Sequence, residues 1–188
     1  MADQANEGLL SPTLLRQRIA AARPFLSGRI LDVGCGSGAL AAWVPVQDYL
    51  GVEPDEMALA VARAKHPNHA FRSELPMPGE FSFDTIVALA VIEHVEDPKR
   101  FLRALATRLA PSPLSRVVLT TPHPSAAAIH RIGANLGIFS RQAAKEHKTF
   151  LGRSRLAEIA EAARLHTAVY RRFLFGLNQL AVLAAMPQ

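Results

Sequence analysis

The sequence predicts an α/β protein: a mostly parallel sheet with helices on both faces and an antiparallel hairpin at its C-terminal end. Three observations predict it. Short apolar runs alternate with helical runs between residues 29 and 122. A glycine-rich turn, "GCGSG", follows the first apolar run. Two further β-like runs, His166 to Phe173 and Leu177 to Ala184, are separated only by "LFG". So short a link forces an antiparallel pair.

Each element has its own signal. Ser11 and Pro12 open a helix, as a cap oxygen and a first-position proline. Leu14, Leu15, Ile19 and Ala22 then share one face, and Pro24 with Ser27-Gly28 ends the run after Phe25. "RILDV" (29–33) is a strand, "GALAAWV" (38–44) a small helix cut at Pro45, and "DYLGVE" (48–53) a second strand. "DEMALAVARAKH" (55–66) is a helix stopped by Pro67. "HAFR" (69–72) is a short strand and "FDTIVAL" (83–89) a stronger one. Asp97 and Pro98 start a helix to Ala110, with Phe101, Leu102, Leu105 and Leu109 at helical spacing. "SRVVLTTP" (115–122) is a strand that Pro122 terminates. A helix is expected within "SAAAIHRIGANLG" and another over Arg153 to Leu165.

The chain has 188 residues, the size of one domain. Residues 1–28 are read as an N-terminal helical cap and 123–148 as a lid insertion. The single cysteine, Cys35, excludes an internal disulfide and fits a reducing cytoplasm. No apolar run approaches the ~18 residues of a spanning helix, and "MADQANEG" is too polar for a secretory signal. A cytoplasmic location is expected. The net charge is +5, but the arginines are scattered and the chain has one Trp and two Tyr. Nucleic acid is therefore not the expected partner.

The chemistry is expected where the first strand ends, since ligands on open α/β sheets sit beyond the carboxyl ends of the strands. Gly34, Gly36 and Gly38 lie there, in a G-x-G-x-G spacing with Asp32 two residues ahead. A carboxylate so placed would repel a pyrophosphate and attract an ammonium group. Glu53, at the end of the second strand, suits ribose hydroxyls. An NAD-type oxidoreductase is disfavoured by Asp32 and by the glycine spacing.

"ILDVGCGSG", "YLGVEPD", "FDTIVALAVIEHVEDPKRFL" and "RVVLTTPHP", in that order, resemble the class I S-adenosylmethionine-dependent methyltransferases of the small type 11/type 12 kind. The likeness covers roughly residues 29–124. It implies a Rossmann-like, doubly wound, three-layer α/β/α fold with seven strands, the last antiparallel. It implies S-adenosylmethionine as cofactor. Asp32 and the backbone of Gly34 and Gly36 would hold its methionine part, and Glu53 its ribose. Pro54 would flank the adenine, with Ser73, Glu74 or the backbone near Leu75 at the adenine edge. Cys35, Gly38, Leu89 and Ala90 complete the implied cofactor shell, Cys35 as a small side chain packed behind the turn rather than as a nucleophile.

Ala88 to Val95 would lie beside the reacting methyl, which makes His94 the candidate general base, since histidine titrates near neutrality. "VIEH" also resembles a Glu-x-x-Glu-His metal element of some relatives. The first Glu position is Ala90 here, so no metal is expected. The implied reaction is methyl transfer to a small-molecule acceptor of the glycan, lipid or quinone type, on oxygen by preference. A subunit that binds S-adenosylmethionine or S-adenosylhomocysteine without turnover, and an RNA methyltransferase, are the alternatives.

Overall fold

The structure, a computed structural model, describes residues 11–125 and 151–186. Its seven-stranded sheet has the order β3-β2-β1-β4-β5-β7-β6. The strands are β1 (Ile30–Val33), β2 (Tyr49–Val52), β3 (Ala70–Arg72), β4 (Thr85–Leu89), β5 (Arg116–Pro122), β6 (Leu165–Phe173) and β7 (Asn178–Ala185). Strands β1 to β5 pair in parallel. Strand β7 runs antiparallel to both β5 and β6. The expected hairpin is present, and its second strand slots between β5 and β6.

Alternation along each strand feeds two separate cores. Leu31 and Val33 of β1, Leu50 and Val52 of β2, Ile86 and Ala88 of β4, and Val117 and Leu119 of β5 face one side. There they pack on Leu102 and Leu105 of α3 (Pro98–Ala106) and on Leu156, Ile159 and Ala160 of α4 (Arg153–Ala162). Ile30, Tyr49, Val87 and Val118 face the other side. They meet Ile19 and Ala22 of α1 (Ser11–Ala22) and Leu59 and Ala62 of α2 (Glu56–Lys65). With both faces covered, a parallel sheet reads as near-continuous apolar runs. Every residue of β1 and β2 is buried. Strand β1 lies between β2 and β4, so successive connections leave it in opposite directions and open a crevice at its carboxyl end.

Some boundaries differ from the sequence reading. The run Gly38 to Val44 is not an α-helix; only a single 3₁₀ turn, Ala41–Trp43, forms. Gly38 sits at φ +78° and Pro45 follows, so too few residues remain to nucleate a helix, and Val44 is extended as a residue before proline should be. The first helix stops at Ala22 and a 3₁₀ turn, Arg23–Phe25, replaces its last residues, because Pro24 lacks a donor. Helix α3 stops at Ala106, since the chain beyond it bridges Phe83 through Leu109. The lid beyond Ser125 and the helix expected there lie outside the described residues. Among the described residues no helix is long and apolar enough to cross a membrane.

The lower edge of the crevice strands is fixed by polar bonds. Arg29 N–H donates to Asp84 Oδ2 at 2.8 Å, and the Thr85 hydroxyl donates to Ser27 O at 2.8 Å. Phe83, fully buried, is held by its own backbone to Arg108 and Ala110. Phe83→Ala leaves a cavity at this junction. It should lower unfolding free energy by about 3–5 kcal/mol, read from the denaturant midpoint at unchanged m-value.

Candidate functional site

The turn after β1 is built for close approach. Gly34 takes φ +70° and Gly36 φ +52°, a region that side chains rarely adopt. A Cβ on Gly34 would lie 2.6 Å from Val91 Cγ2, whereas nothing lies within 4 Å of one on Gly36. Gly34 is thus sealed by the segment after β4, and Gly36 faces open space. The turn hangs on β2: Gly34 and Cys35 N–H donate to Val52 O at 2.8 and 3.1 Å.

Asp32 lies beneath this turn and is 3% exposed. In the β1–β2 register it stands opposite Gly51. Two residues before that glycine on the same strand, the Tyr49 hydroxyl donates to Asp32 Oδ2 at 2.8 Å. Burial pushes the Asp32 carboxyl up to about 7. The Tyr49 bond offsets part of this, and the Glu53 carboxylate adds to it. A Cβ on Gly51 would meet Phe71 at 2.6 Å and Cys35 Sγ at 2.9 Å, so Gly51 makes room for Phe71 and Cys35. The Cys35 thiol is buried and pushed up to about 12, chiefly by that burial and by Asp32 and Glu53. It remains a thiol, which excludes nucleophilic work at neutral pH.

Glu53 follows β2. Its Oε2 accepts from Gly36 N–H at 2.9 Å and its Oε1 from Asp55 N–H at 3.0 Å. Asp55 in turn caps α2, accepting from Met57 and Ala58 N–H at 2.9 Å each. The carboxylate of Glu53 therefore ties the glycine turn to the start of α2. Pro54 beside it is exposed. Glu74 is exposed on the wall of a cleft of about 430 Å³, shared with Arg63, Phe71 and Met77. A second cleft, of about 540 Å³, runs between α1 and the turn residues Ser37 and Ala39. Neither cleft is lined by His94.

On the other side of the crevice, Leu89 is half-buried and ends β4. Ala90 takes φ +60°, costly for a residue with a side chain, and donates its N–H to Thr120 O at 2.8 Å. That turn directs Val91 onto Gly34 and begins a 3₁₀ turn, Ile92–His94. His94 is exposed; its N–H is held by Val91 O at 2.9 Å. Glu93 points the other way and is 3% exposed, with Oε2 unpartnered. Burial raises its pKa, and Thr121, Arg18 and His94 offset part of this. His123 closes the rim: Ser125 N–H donates to its Nδ1 at 3.1 Å. Among the described residues no group of three His, Cys, Asp or Glu side chains is placed to hold a metal ion.

Asp32, Gly34, Cys35, Gly36, Gly38 and Glu53 thus converge on one turn, with Leu89 and Ala90 across from it. Sequence reasoning missed Tyr49, Gly51 and Val91. Tyr49 and Gly51 were accessible in principle, since a glycine opposite a buried acid with a tyrosine two residues earlier is a period-2 pattern. Val91 was not, because the left-handed turn at Ala90 carries no residue signature.

A family model described as a methyltransferase domain matches residues 6–166. A ubiquinone biosynthesis O-methyltransferase of Ruegeria pomeroyi is 32% identical over 126 residues, which are 61% of this chain and 50% of that protein. A probable S-adenosylmethionine-dependent methyltransferase of Mycobacterium tuberculosis is 35% identical over 100 residues, 50% of this chain and 35% of that one. The chain spans half the length of the first relative and about a third of the second. A Thermotoga maritima structure, described as an S-adenosylmethionine-dependent methyltransferase and possible histamine N-methyltransferase, superposes with a TM-score of 0.71 at 17% identity, covering 93% of this chain and 89% of that one. The match over most of the sequence settles the family: the chain belongs to the class I S-adenosylmethionine-dependent methyltransferases.

Proposed function

We propose that this chain transfers a methyl group from S-adenosylmethionine to an oxygen of a small-molecule acceptor of the quinone, glycan or lipid type. The observation that carries the reading is a buried carboxylate, Asp32, at the start of a glycine turn that is open at Gly36. Among the described residues, the influences on Asp32 are burial, a neutral hydroxyl and another carboxylate, none of them a cation. A ligand with an ammonium group supplies what such a site lacks. The relative from Ruegeria pomeroyi, named for ubiquinone biosynthesis, supports a quinone-type acceptor.

In this reading Asp32 takes the ammonium, and the backbone of Gly34, Cys35 and Gly36 lines the methionine part, with Gly38 completing the turn. Glu53 takes the ribose hydroxyls with lone pairs beyond those given to Gly36 and Asp55. Pro54 and Glu74 border the adenine. When bound, the cofactor supplies an electrophilic methyl on a sulfonium. Leu89 and Ala90 form the wall beside it, fixed by the Ala90–Thr120 bond. Alignment of acceptor and donor is where such a site gains most of its rate. His94, exposed beyond that wall, takes the acceptor's hydroxyl proton on its ring and releases it to water. The described residues, 11–125 and 151–186, act as one domain.

Calorimetry with S-adenosylmethionine, S-adenosylhomocysteine and NAD tests the ligand class. Both adenosyl compounds should bind and NAD should not; the reverse pattern sinks the reading. Asp32→Ala and Glu53→Ala should each weaken adenosyl-ligand binding by roughly tenfold or more. His94→Ala should lower kcat by about 10²–10⁴-fold while leaving cofactor affinity unchanged. Full activity in that variant removes His94 as base. Cofactor binding without turnover across an acceptor panel would favour a partner subunit instead.

The Asp32 carboxyl also sets a pH dependence. Its folded value, about 7, lies above the unfolded 3.8, so between them the folded state holds the extra proton. Stability of the unliganded protein from this group therefore falls as pH rises across that window, by at most about 1.4 kcal/mol per unit. The unfolding free energy of wild type minus that of Asp32→Asn, measured from about pH 4 to about pH 8, should fall as pH rises. A constant difference contradicts the assignment.

A further inference from the structure

Directly beneath the glycine turn lies a cluster that apolar packing alone does not explain. Tyr49 is 4% exposed. Its ring meets His69 and Phe71 edge-on, with centroids 5.4 and 5.7 Å away. His69 meets His66 at 5.6 Å, and its Nε2 lies 3.1 Å from Val44 O. The cluster touches the turn itself: a Cβ on Gly38 would come within 3.1 Å of His66 Cδ2 and 3.2 Å of Phe71 Cζ. From this box the Tyr49 hydroxyl reaches Asp32 Oδ2 at 2.8 Å.

We propose that Tyr49 is a positioning residue for cofactor capture, whose hydroxyl orients the buried Asp32 carboxylate and favours the anion that receives the ligand's ammonium group. The inference rests on the cofactor reading above. A carboxyl stripped of water prefers its neutral form, and a hydrogen bond donated to the charged form opposes that preference. Three kinds of group surround the pair. Glu53, on the far side of the turn, is a like charge and works against the anion. Cys35 stays a neutral thiol. From the loop before β3, His69 faces the Tyr49 ring, and His66 and Lys65 stand behind it. Burial, then His69 and Lys65, favour the neutral form of His66. The Tyr49 hydrogen bond is the influence on Asp32 that favours ionisation. Tyr49 itself cannot give up its proton, because burial and the adjoining Asp32 hold its own pKa far above the ordinary value. It is a permanent donor. Edge contacts with His69 and Phe71 fix the ring, so the donor needs no reorganisation when the ligand arrives.

The test is calorimetric titration with S-adenosylhomocysteine, which carries the same ammonium group, over roughly pH 5.5 to 8.5. Wild type, Tyr49→Phe and Asp32→Asn are compared. Wild-type affinity should rise with pH as Asp32 ionises, and Asp32→Asn should lose that rise. Tyr49→Phe keeps the ring and its contacts. It should bind roughly tenfold more weakly near neutrality, with the rise displaced to higher pH. Unchanged affinity, or a weakening equal at every pH, overturns the proposal, since packing alone would do the latter. A second variant moves the effect the other way. The two tyrosines are Tyr49 and Tyr170, so global replacement by 3-fluorotyrosine, in wild type and in Tyr170→Phe, makes position 49 a stronger donor. The rise should then shift to lower pH, and no shift in either background overturns the proposal. Failure of the wild type to bind at all overturns the cofactor reading itself, and the inference with it.

Discussion

The site depends on keeping one carboxylate, Asp32, inside the protein. Period-2 alternation on β1 puts Asp32 on the same face as Ile30, among apolar residues packed under α1 and α2. That placement is unfavourable without compensation, and much of the surrounding sequence reads as compensation. Gly51 opposite makes room for Phe71 and Cys35, Tyr49 supplies the donor, and the glycine turn after Asp32 leaves open space at Gly36. A buried acid without a cationic partner costs stability in the free protein. In the proposed reading, the same cost becomes affinity once an ammonium group is present. Stability and ligand capture are opposed at this residue.

The turn is held by three contacts, two from β2 and its end and one from the segment after β4. Strand β2 provides Val52 O for two N–H groups. The residue after β2, Glu53, accepts from Gly36 and links the turn to the start of α2. The segment after β4 lays Val91 over Gly34, which is possible because Ala90 turns through the left-handed region. The glycine turn and the segment after β4 therefore share a contact. A change at Ala90 that relaxed its backbone would move Val91, and with it the glycine turn.

Much of this was legible from residues alone. Alternating apolar runs gave the parallel strands, and "LFG" gave the antiparallel pair. Asp32, the G-x-G-x-G spacing and Glu53 are read together from the sequence, and the structure brings them to one turn. What stayed hidden was of two kinds. Local reading overestimated helix in "GALAAWV", because the positive φ at Gly38 is set by the turn and not by the helical residues after it. Tertiary partners were invisible wherever a contact joined distant segments, as with Tyr49 and Asp32 or Val91 and Gly34. His94 and Glu93 illustrate the same limit. They are neighbours in a run that reads as one motif, yet a single 3₁₀ turn sends one to solvent and buries the other.

The position of β7 has a consequence of its own. It is bonded on both sides, to β5 along its length and to β6 through Tyr170–Gln179 as well as the ladder. Gln179 also donates to Pro122 O, at the very end of β5. Loss of β7 would therefore not shorten the sheet by one strand. It would split the sheet, leaving β6 stranded and exposing two unpaired strand borders at once, each a template for pairing with another copy of the chain.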